Sequence, residues 1–206
     1  MQTISELSPK KRGHERASLA ASGGLLRKNL SRDLTLTEPL PVQTVTARLR
    51  AMLDERCLVY RHLVHDSTPT SEDSARVRGE PLEVGGKALV IKADGRFLVI
   101  VISAARRLDS KRLKKLLKAK SIRFVTREEL HERTGLVPGS VPPFGRPLLE
   151  LDLLVDASVL AQERIAFNAG SMTESIIMST SDWRSVACPL EILEVSSEPS
   201  PTAPKE

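Results

Sequence analysis

Eleven residues, Gly135-Leu-Val-Pro-Gly-Ser-Val-Pro-Pro-Phe-Gly145, hold three glycines and three prolines. Neither a helix interior nor a central strand can run through such a stretch. The glycines supply backbone geometries that other residues resist, and the prolines hold φ fixed. Pro138, Pro142 and Pro143 donate nothing, so the few remaining N–H groups, at Gly139, Ser140 and Val141, are placed by a stiff backbone. A small set of aimed dipoles suits a carbonyl oxygen or a phosphate. A rigid connection between two sheet elements explains the same composition, and from the loop alone both readings stand.

The rest of the chain supplies an aliphatic core to carry that loop. Hydrophobic residues make up 40% of its 206 residues but aromatics only 3%, which suits one domain with tails or at most two small domains. The net charge of +5 favours a polyanionic partner. Cys57 and Cys188 form neither a disulfide framework nor a metal spacing, and both read as packing residues. No apolar run reaches the ~18 residues of a membrane helix, and no apolar segment follows Lys10, Lys11 and Arg12 as in a secretory signal. The expectation is a cytoplasmic protein with reduced thiols, no membrane association and no bound metal or cofactor.

Punctuation divides the chain. Residues 1–42 read as a disordered basic arm and 195–206 as a disordered tail rich in Pro and Ser, leaving a domain over 43–194. Within it, Thr44 caps a helix whose Val45, Leu49, Met52 and Leu53 share one face. A strand follows near 58–64, then a short helix over 71–77 capped by Thr70. Two β-rich runs, 87–92 and 97–102, meet through Asp94-Gly95, a strong hairpin signal. A basic helix is expected over 109–119, a strand over 122–125, and a helix opened by the capping box Thr126-Arg-Glu-Glu129. After the loop come an apolar segment at 148–154, a helical turn at 158–162, strands at 164–168 and 175–178, and a helix over 182–187 capped by Ser181. The class is α+β, with a mixed, largely antiparallel sheet.

No conventional catalytic set is present. There is no P-loop, dinucleotide fingerprint or paired-histidine helix, and no nucleophile elbow. His62 and His65 read as strand or rim residues. Lys87 stands apart, because it follows Gly85-Gly86 and opens the apolar strand Ala88-Leu-Val-Ile91. Either it is a solvated edge residue, or the glycines let a ligand or another backbone approach while the strand partly desolvates the ammonium. Asn168-Ala-Gly-Ser171 places small polar groups at a turn. The run from Arg106 to Arg123 carries nine Lys or Arg and one acid, a solvated helix face or a surface for phosphates.

Taken together and in order, Gly85-Gly-Lys-Ala-Leu-Val90, Gly135–Gly145 and Phe167-Asn-Ala-Gly-Ser171 resemble the YbaK/EbsC/ProX family. These are free-standing aminoacyl-tRNA deacylases related to the editing insertion of bacterial prolyl-tRNA synthetases. The resemblance covers about residues 45–190. It implies a partly barrel-like sheet surrounded by helices, with a pocket for the aminoacyl-adenosine end of tRNA. Lys87 matches the family's key lysine and Gly139-Ser140 its substrate loop, which makes Lys87 and Gly139 the implied catalytic pair. Gly86, Ser140, Val141, Pro142, Asn168, Gly170, Ser171 and Ser175 are the implied substrate contacts, Ser175 standing where some relatives carry an aspartate. Arg106, Arg107, Lys111, Lys114, Lys115 and Lys118 are expected to meet the tRNA body, and an aminoacyl-tRNA synthetase is a further expected partner. The implied function is trans-editing of mischarged aminoacyl-tRNA by ester hydrolysis. The alternatives are a non-catalytic module of the same fold that holds a tRNA end or a small ligand, and a general basic RNA-binding protein.

Overall fold

The computed structural model describes residues 44–198, so the arm expected over 1–42 and most of the tail expected over 195–206 lie outside the described residues. The chain begins with α1 (Val45–Asp54), β1 (Tyr60–Val64) and α2 (Ser71–Arg78), followed by a 3-10 turn at Leu82–Val84. Next come β2 (Gly86–Ala93), β3 (Arg96–Ser103), β4 (Arg107–Leu108), α3 (Ser110–Leu116), β5 (Ile122–Phe124) and α4 (Arg127–Thr134). Beyond the glycine-proline loop lie β6 (Asp152–Asp156), α5 (Ala157–Leu160), β7 (Arg164–Asn168), β8 (Glu174–Ser179), α6 (Thr180–Ala187), β9 (Glu191–Leu193) and β10 (Ser196–Ser197).

Local chemistry explains the boundaries. Thr44, Thr70 and Asp109 each accept a backbone N–H at a helix start, and Thr126 and Glu129 close the capping box. Gly79 and Gly135 end α2 and α4 at φ 67° and 70°, the left-handed geometry that suits glycine. Asp94 and Gly95 take φ values of 46° and 88°, as a two-residue hairpin of the primed type requires. Asp94 also accepts hydrogen bonds from the Lys120 and Ser121 N–H groups, tying the hairpin tip to the start of β5.

Two main sheets follow, one ordered β5-β2-β3-β6-β9 and the other β1-β8-β7, with β4 and β10 pairing apart. Pairing is antiparallel except for β3 with β6 and β6 with β9. β3 is buried on both faces, so its apolar run is continuous. Val99 and Val101 face Ile165, Phe167, Ile176 and Trp183 in the larger core, whereas Leu98, Ile100 and Ile102 pack with Leu113 of α3 and Val195 in the second. The sheets meet at Gly85, which bridges to Ala166. A β-carbon on Gly86 would sit 2.7 Å from Ile165 Cδ1, so the bare backbone is what permits the approach.

Several expectations shift. The 148–154 segment is not one element: Leu148 and Leu149 turn into the core, Leu149 N–H bonds to the Gly145 carbonyl, and the strand begins only at Asp152. Ser179, not Ser181, caps the last helix, because β8 runs straight into it and its final residue must serve. Cys57 and Cys188 are exposed, not packed, and both occupy left-handed positions after helices. The folded unit also passes residue 194. Val195 is fully buried, and Ser196-Ser197 pair with Arg107-Leu108. No periodicity announces this strap, since strands of two or three residues have too few positions to alternate.

Asp156 holds the strap. Its carboxylate accepts from the N–H groups of Val195 (2.6 Å) and Ser196 (2.9 Å) and from Ser196 Oγ (2.7 Å), as well as from Ser158 N–H. Burial raises its pKa, but these hydrogen bonds outweigh it and hold the value below the ordinary carboxylate range. A depressed carboxylate contributes stability that is present above the unfolded value of about 3.9 and lost as pH falls through the folded one. Asp156→Ala should therefore cost about 1–3 kcal/mol at pH 7 by leaving buried donors unpaired, and this gap should shrink below about pH 4. Guanidinium unfolding of both proteins at pH 7 and pH 3 measures it, and an equal gap at the two values would refute the assignment.

Candidate active site

A cavity of about 320 Å³ opens where the start of β2, the segment from Thr68 to Arg78, the end of β7 and the glycine-proline loop meet. Its size suits a small ligand or the end of a larger one. Lys87 enters from β2. It is half-buried, and its Nζ donates to the Arg106 carbonyl at 2.8 Å. Burial lowers its pKa, with Glu72 opposing and Arg107 adding to the shift. No ion pair restrains it among the described residues, and of the two readings of Lys87 the geometry matches the half-desolvated one.

The loop meets the cavity through Pro138, Gly139 and Val141. Val137 to Ser140 form a type II turn, with Gly139 at φ 89° and Ser140 N–H bonded to the Val137 carbonyl at 3.0 Å. Ser140 Oγ bonds to the Val137 N–H and carbonyl as well. The Ser140 N–H is thus consumed within the turn and cannot serve a ligand, contrary to the sequence expectation. Gly139 N–H and Val141 N–H have no acceptor among the described residues. They flank a peptide unit held at both ends, because Asn168 Nδ2 donates to the Gly139 carbonyl at 2.7 Å. Gly170 N–H in turn donates to the Ser140 carbonyl at 3.1 Å. The two unpaired donors are therefore aimed by their neighbours.

Of the expected residues, Lys87, Gly86, Gly139, Val141 and Asn168 line the cavity. Ser140 and Pro142 are buried beside it as scaffolding. Gly170 packs against Val45, and Ser171 bonds to Thr173, both away from the lining. Ser175 is fully buried behind the wall. The basic residues divide too. Lys111, Lys114, Lys115 and Lys118 project from α3 and its end, exposed and outside any ion pair among the described residues, and Arg107 is exposed on β4. Arg106 is half-buried with its Nε enclosed, and its carbonyl serves Lys87, so it does not belong to the open basic face.

Sequence reading missed Arg78. At the last turn of α2, before Gly79, it looks like an ordinary helix-end cation, yet only 7% of it is exposed. It lines the cavity. Nε donates to Ser175 Oγ at 2.9 Å and Nη2 to Asn168 Oδ1 at 2.5 Å. Burial lowers its pKa to about 10, so it stays charged at neutral pH. His65 is a partner, not a rim residue: Nδ1–H donates to the Asp66 carbonyl, which leaves Nε2 to accept the Ser175 hydroxyl at 2.8 Å. Nothing in the sequence links positions so far apart. The hydroxyls of Thr68, Thr70 and Ser74 complete the wall. Ser74 bonds to Thr68 Oγ1 and the Thr70 carbonyl. Thr70 donates to the Asp73 carboxylate while accepting the Asp73 N–H as the cap of α2, so that pair serves the helix start, and none of the three hydroxyls meets a histidine among the described residues. No cluster of His, Cys, Asp and Glu suited to a metal occurs among the described residues, and none of their helices is long and apolar enough to cross a membrane.

The chain is similar to several known proteins. The multifunctional Ser/Thr-tRNA deacylase ProXp-y of Escherichia coli K12 is 29% identical over 160 residues, 75% of this chain and 95% of that protein. The proline–tRNA ligase of Bacillus licheniformis is 35% identical over 83 residues, which span 40% of this chain but only 14% of the ligase. A solved structure described as a candidate trans-editing enzyme for prolyl-tRNA synthetase shares the fold at TM-score 0.65 and 21% identity, covering 76% of this chain and 99% of that one. The model of the aminoacyl-tRNA editing domain matches residues 65–186, which run from His65 through the whole cavity wall to α6. The chain belongs to the aminoacyl-tRNA editing domain family.

Proposed function

We propose that this protein hydrolyses the ester bond of aminoacyl-tRNA, releasing the amino acid and restoring the terminal hydroxyl of the tRNA. The observation that carries this reading is the convergence of Lys87, the Gly139 turn and Asn168 on one cavity in a chain of the editing family. An aminoacyl ester is already reactive, so its hydrolysis needs position and oxyanion stabilisation more than a strong protein nucleophile. Water adds to the ester carbon, and the carbonyl oxygen becomes an oxyanion that the Gly139 and Val141 N–H groups can receive. Collapse of the adduct breaks the bond to the ribose oxygen, which leaves with one proton of the water, and the amino acid departs as its carboxylate with the other proton passing to solvent. One such donor is worth about 2.7–4 kcal/mol. Lys87, half-desolvated and in no ion pair among the described residues, is suited to the terminal phosphate or to the ester end.

Thr68, Thr70 and Ser74 are hydroxyl-bearing residues of the cavity wall, and the E. coli relative carries Ser/Thr-tRNA in its name. Seryl- and threonyl-tRNA are accordingly the first substrates to test, beside tRNAs charged with Ala, Cys and Pro. Release of amino acid from none of them would leave a binding module of the same fold. The exposed lysines of α3 would neutralise phosphates of the tRNA body.

Lys87→Ala should lower single-turnover deacylation by ~10²-fold or more with circular dichroism unchanged, and Lys87→Arg should restore little, because a planar guanidinium cannot replace a point charge. An unaltered rate in the alanine variant removes the lysine from the mechanism. Neutralising Lys114, Lys115 and Lys118 together should raise KM for whole tRNA with kcat nearly constant. It should also flatten the dependence of log K on log salt by about 0.7–0.9 for each phosphate that is no longer neutralised. An unchanged salt slope puts the tRNA elsewhere. Gly139→Val must adopt φ near 89° with its β-carbon 3.0 Å from Met172 Sδ, so kcat should fall by ~10²-fold as the Gly139 N–H swings away. A Gly139→Val protein with full kcat would exclude the turn from the chemistry.

A further inference from the structure

We propose that Arg78 is the positioning residue of the substrate turn, setting Asn168 so that Asn168 holds the Gly139 carbonyl. Its kinetic consequence rests on the hydrolytic reading above, while the tether itself rests on geometry alone.

Asn168 and Ser175 are cross-strand partners of β7 and β8. The Arg78 fork reaches both, through Nε to Ser175 Oγ and Nη2 to Asn168 Oδ1, with Nη1 3.4 Å from the Ala166 carbonyl. None of the ion pairs among the described residues includes Arg78. A guanidinium buried without a counter-charge carries a desolvation cost, and an apolar residue of similar volume could fill the space if packing alone were required. What the cation adds is direction. With Oδ1 on the guanidinium, the Asn168 amide must present Nδ2 to the Gly139 carbonyl, at 2.7 Å. The flipped amide would set NH2 against the cation and oxygen against oxygen. The cation also polarises the amide and so strengthens the bond that it aims. Ser175 in turn is fixed by His65, which leaves the fork one seat. The bond to Gly139 then fixes the peptide unit lying between the two unpaired donors of the turn.

Two variants test the tether. Arg78→Lys keeps the charge but offers a point donor that cannot span both strands. Asn168→Asp leaves an acceptor for Arg78 but replaces the donor facing Gly139 with a second oxygen. Hydrogen exchange at the Ser140 and Gly170 amides, both bonded within the loop, should accelerate about tenfold or more in each variant, while β3 stays protected. Single-turnover deacylation should fall about 10–100-fold, with KM for tRNA within twofold of wild type. Should Arg78→Lys fail to fold, Asn168→Asp carries the test, since Arg78 there gains a carboxylate partner. Unchanged exchange at Ser140 and Gly170 in Asn168→Asp would overturn the proposal, as would full kcat in that variant. If the wild-type protein deacylates nothing, the hydrolytic reading fails on its own account, and the exchange arm still decides the tether.

Discussion

The contact between Gly85-Gly86 and β7 decides where everything else in the site can stand. With no side chain at Gly86, Ile165 fills the space a β-carbon would need, and Gly85 bridges to Ala166. The start of the five-stranded sheet is thereby pressed against the three-stranded one, and the next residue, Lys87, emerges at the junction. β7 ends at Asn168, two residues beyond Ala166, so the lysine and the asparagine come to one cavity from different sheets. A larger residue at position 86 would require the Ile165 side chain, fully buried at this junction, to move. Glycine here therefore acts through packing of protein on protein, one of the two roles its sequence position suggested.

Local signals were legible in the sequence because they are short-range. Caps at Thr44, Thr70 and Thr126, the Asp94-Gly95 turn and the β7 boundaries depend on neighbours within a few residues, and the structure reproduces them. The resemblance of three separated motifs added the family, the expected pocket and the role implied for Lys87. What stayed hidden depends on long-range partners. Ser175 and Ser140 looked like ligand contacts by position, but Ser175 is a rear support of Arg78 and Ser140 is spent inside its own turn. Arg78 itself carries no periodic or motif signal, since its importance comes from burial beside residues about ninety positions later. The strap after Leu193 is too short to announce itself, and its anchor, Asp156, falls between the apolar segment and the helical turn expected there.

Charge explains why the cavity is stable as built yet suited to an anion. Lys87 and Arg78 both face it, one half-buried and one nearly fully buried, and neither has a carboxylate partner among the described residues. Both are held by neutral acceptors: a carbonyl for Lys87, and a hydroxyl and an amide oxygen for Arg78. Neutral acceptors satisfy hydrogen bonds without cancelling charge, so the positive field remains available inside the wall. A carboxylate in either place would have formed a stronger pair but would have neutralised that field. The exposed lysines of α3 extend the same sign over the outer surface, where their effect is long-ranged and screened by salt.

The lysine's position is also fixed from far along the chain. Its Nζ rests on the Arg106 carbonyl, and the residues just after Arg106 form β4, which pairs with β10. Asp109 N–H adds a bond to the Val195 carbonyl at 2.7 Å, and Asp156 clamps Val195 and Ser196 from the other side. A carbonyl on a two-residue strand would be a poor anchor by itself, because so short a ladder has little cooperativity. Joined to the strap, and through it to the buried carboxylate at the end of β6, that carbonyl acquires the rigidity of the central sheet. On the proposed hydrolytic reading, the site would need no strong nucleophile and little side-chain chemistry of its own. Its precision would come from one ammonium and two backbone donors, each held by a partner distant in sequence, and these ties extend three residues past the edge that composition alone would assign to the domain.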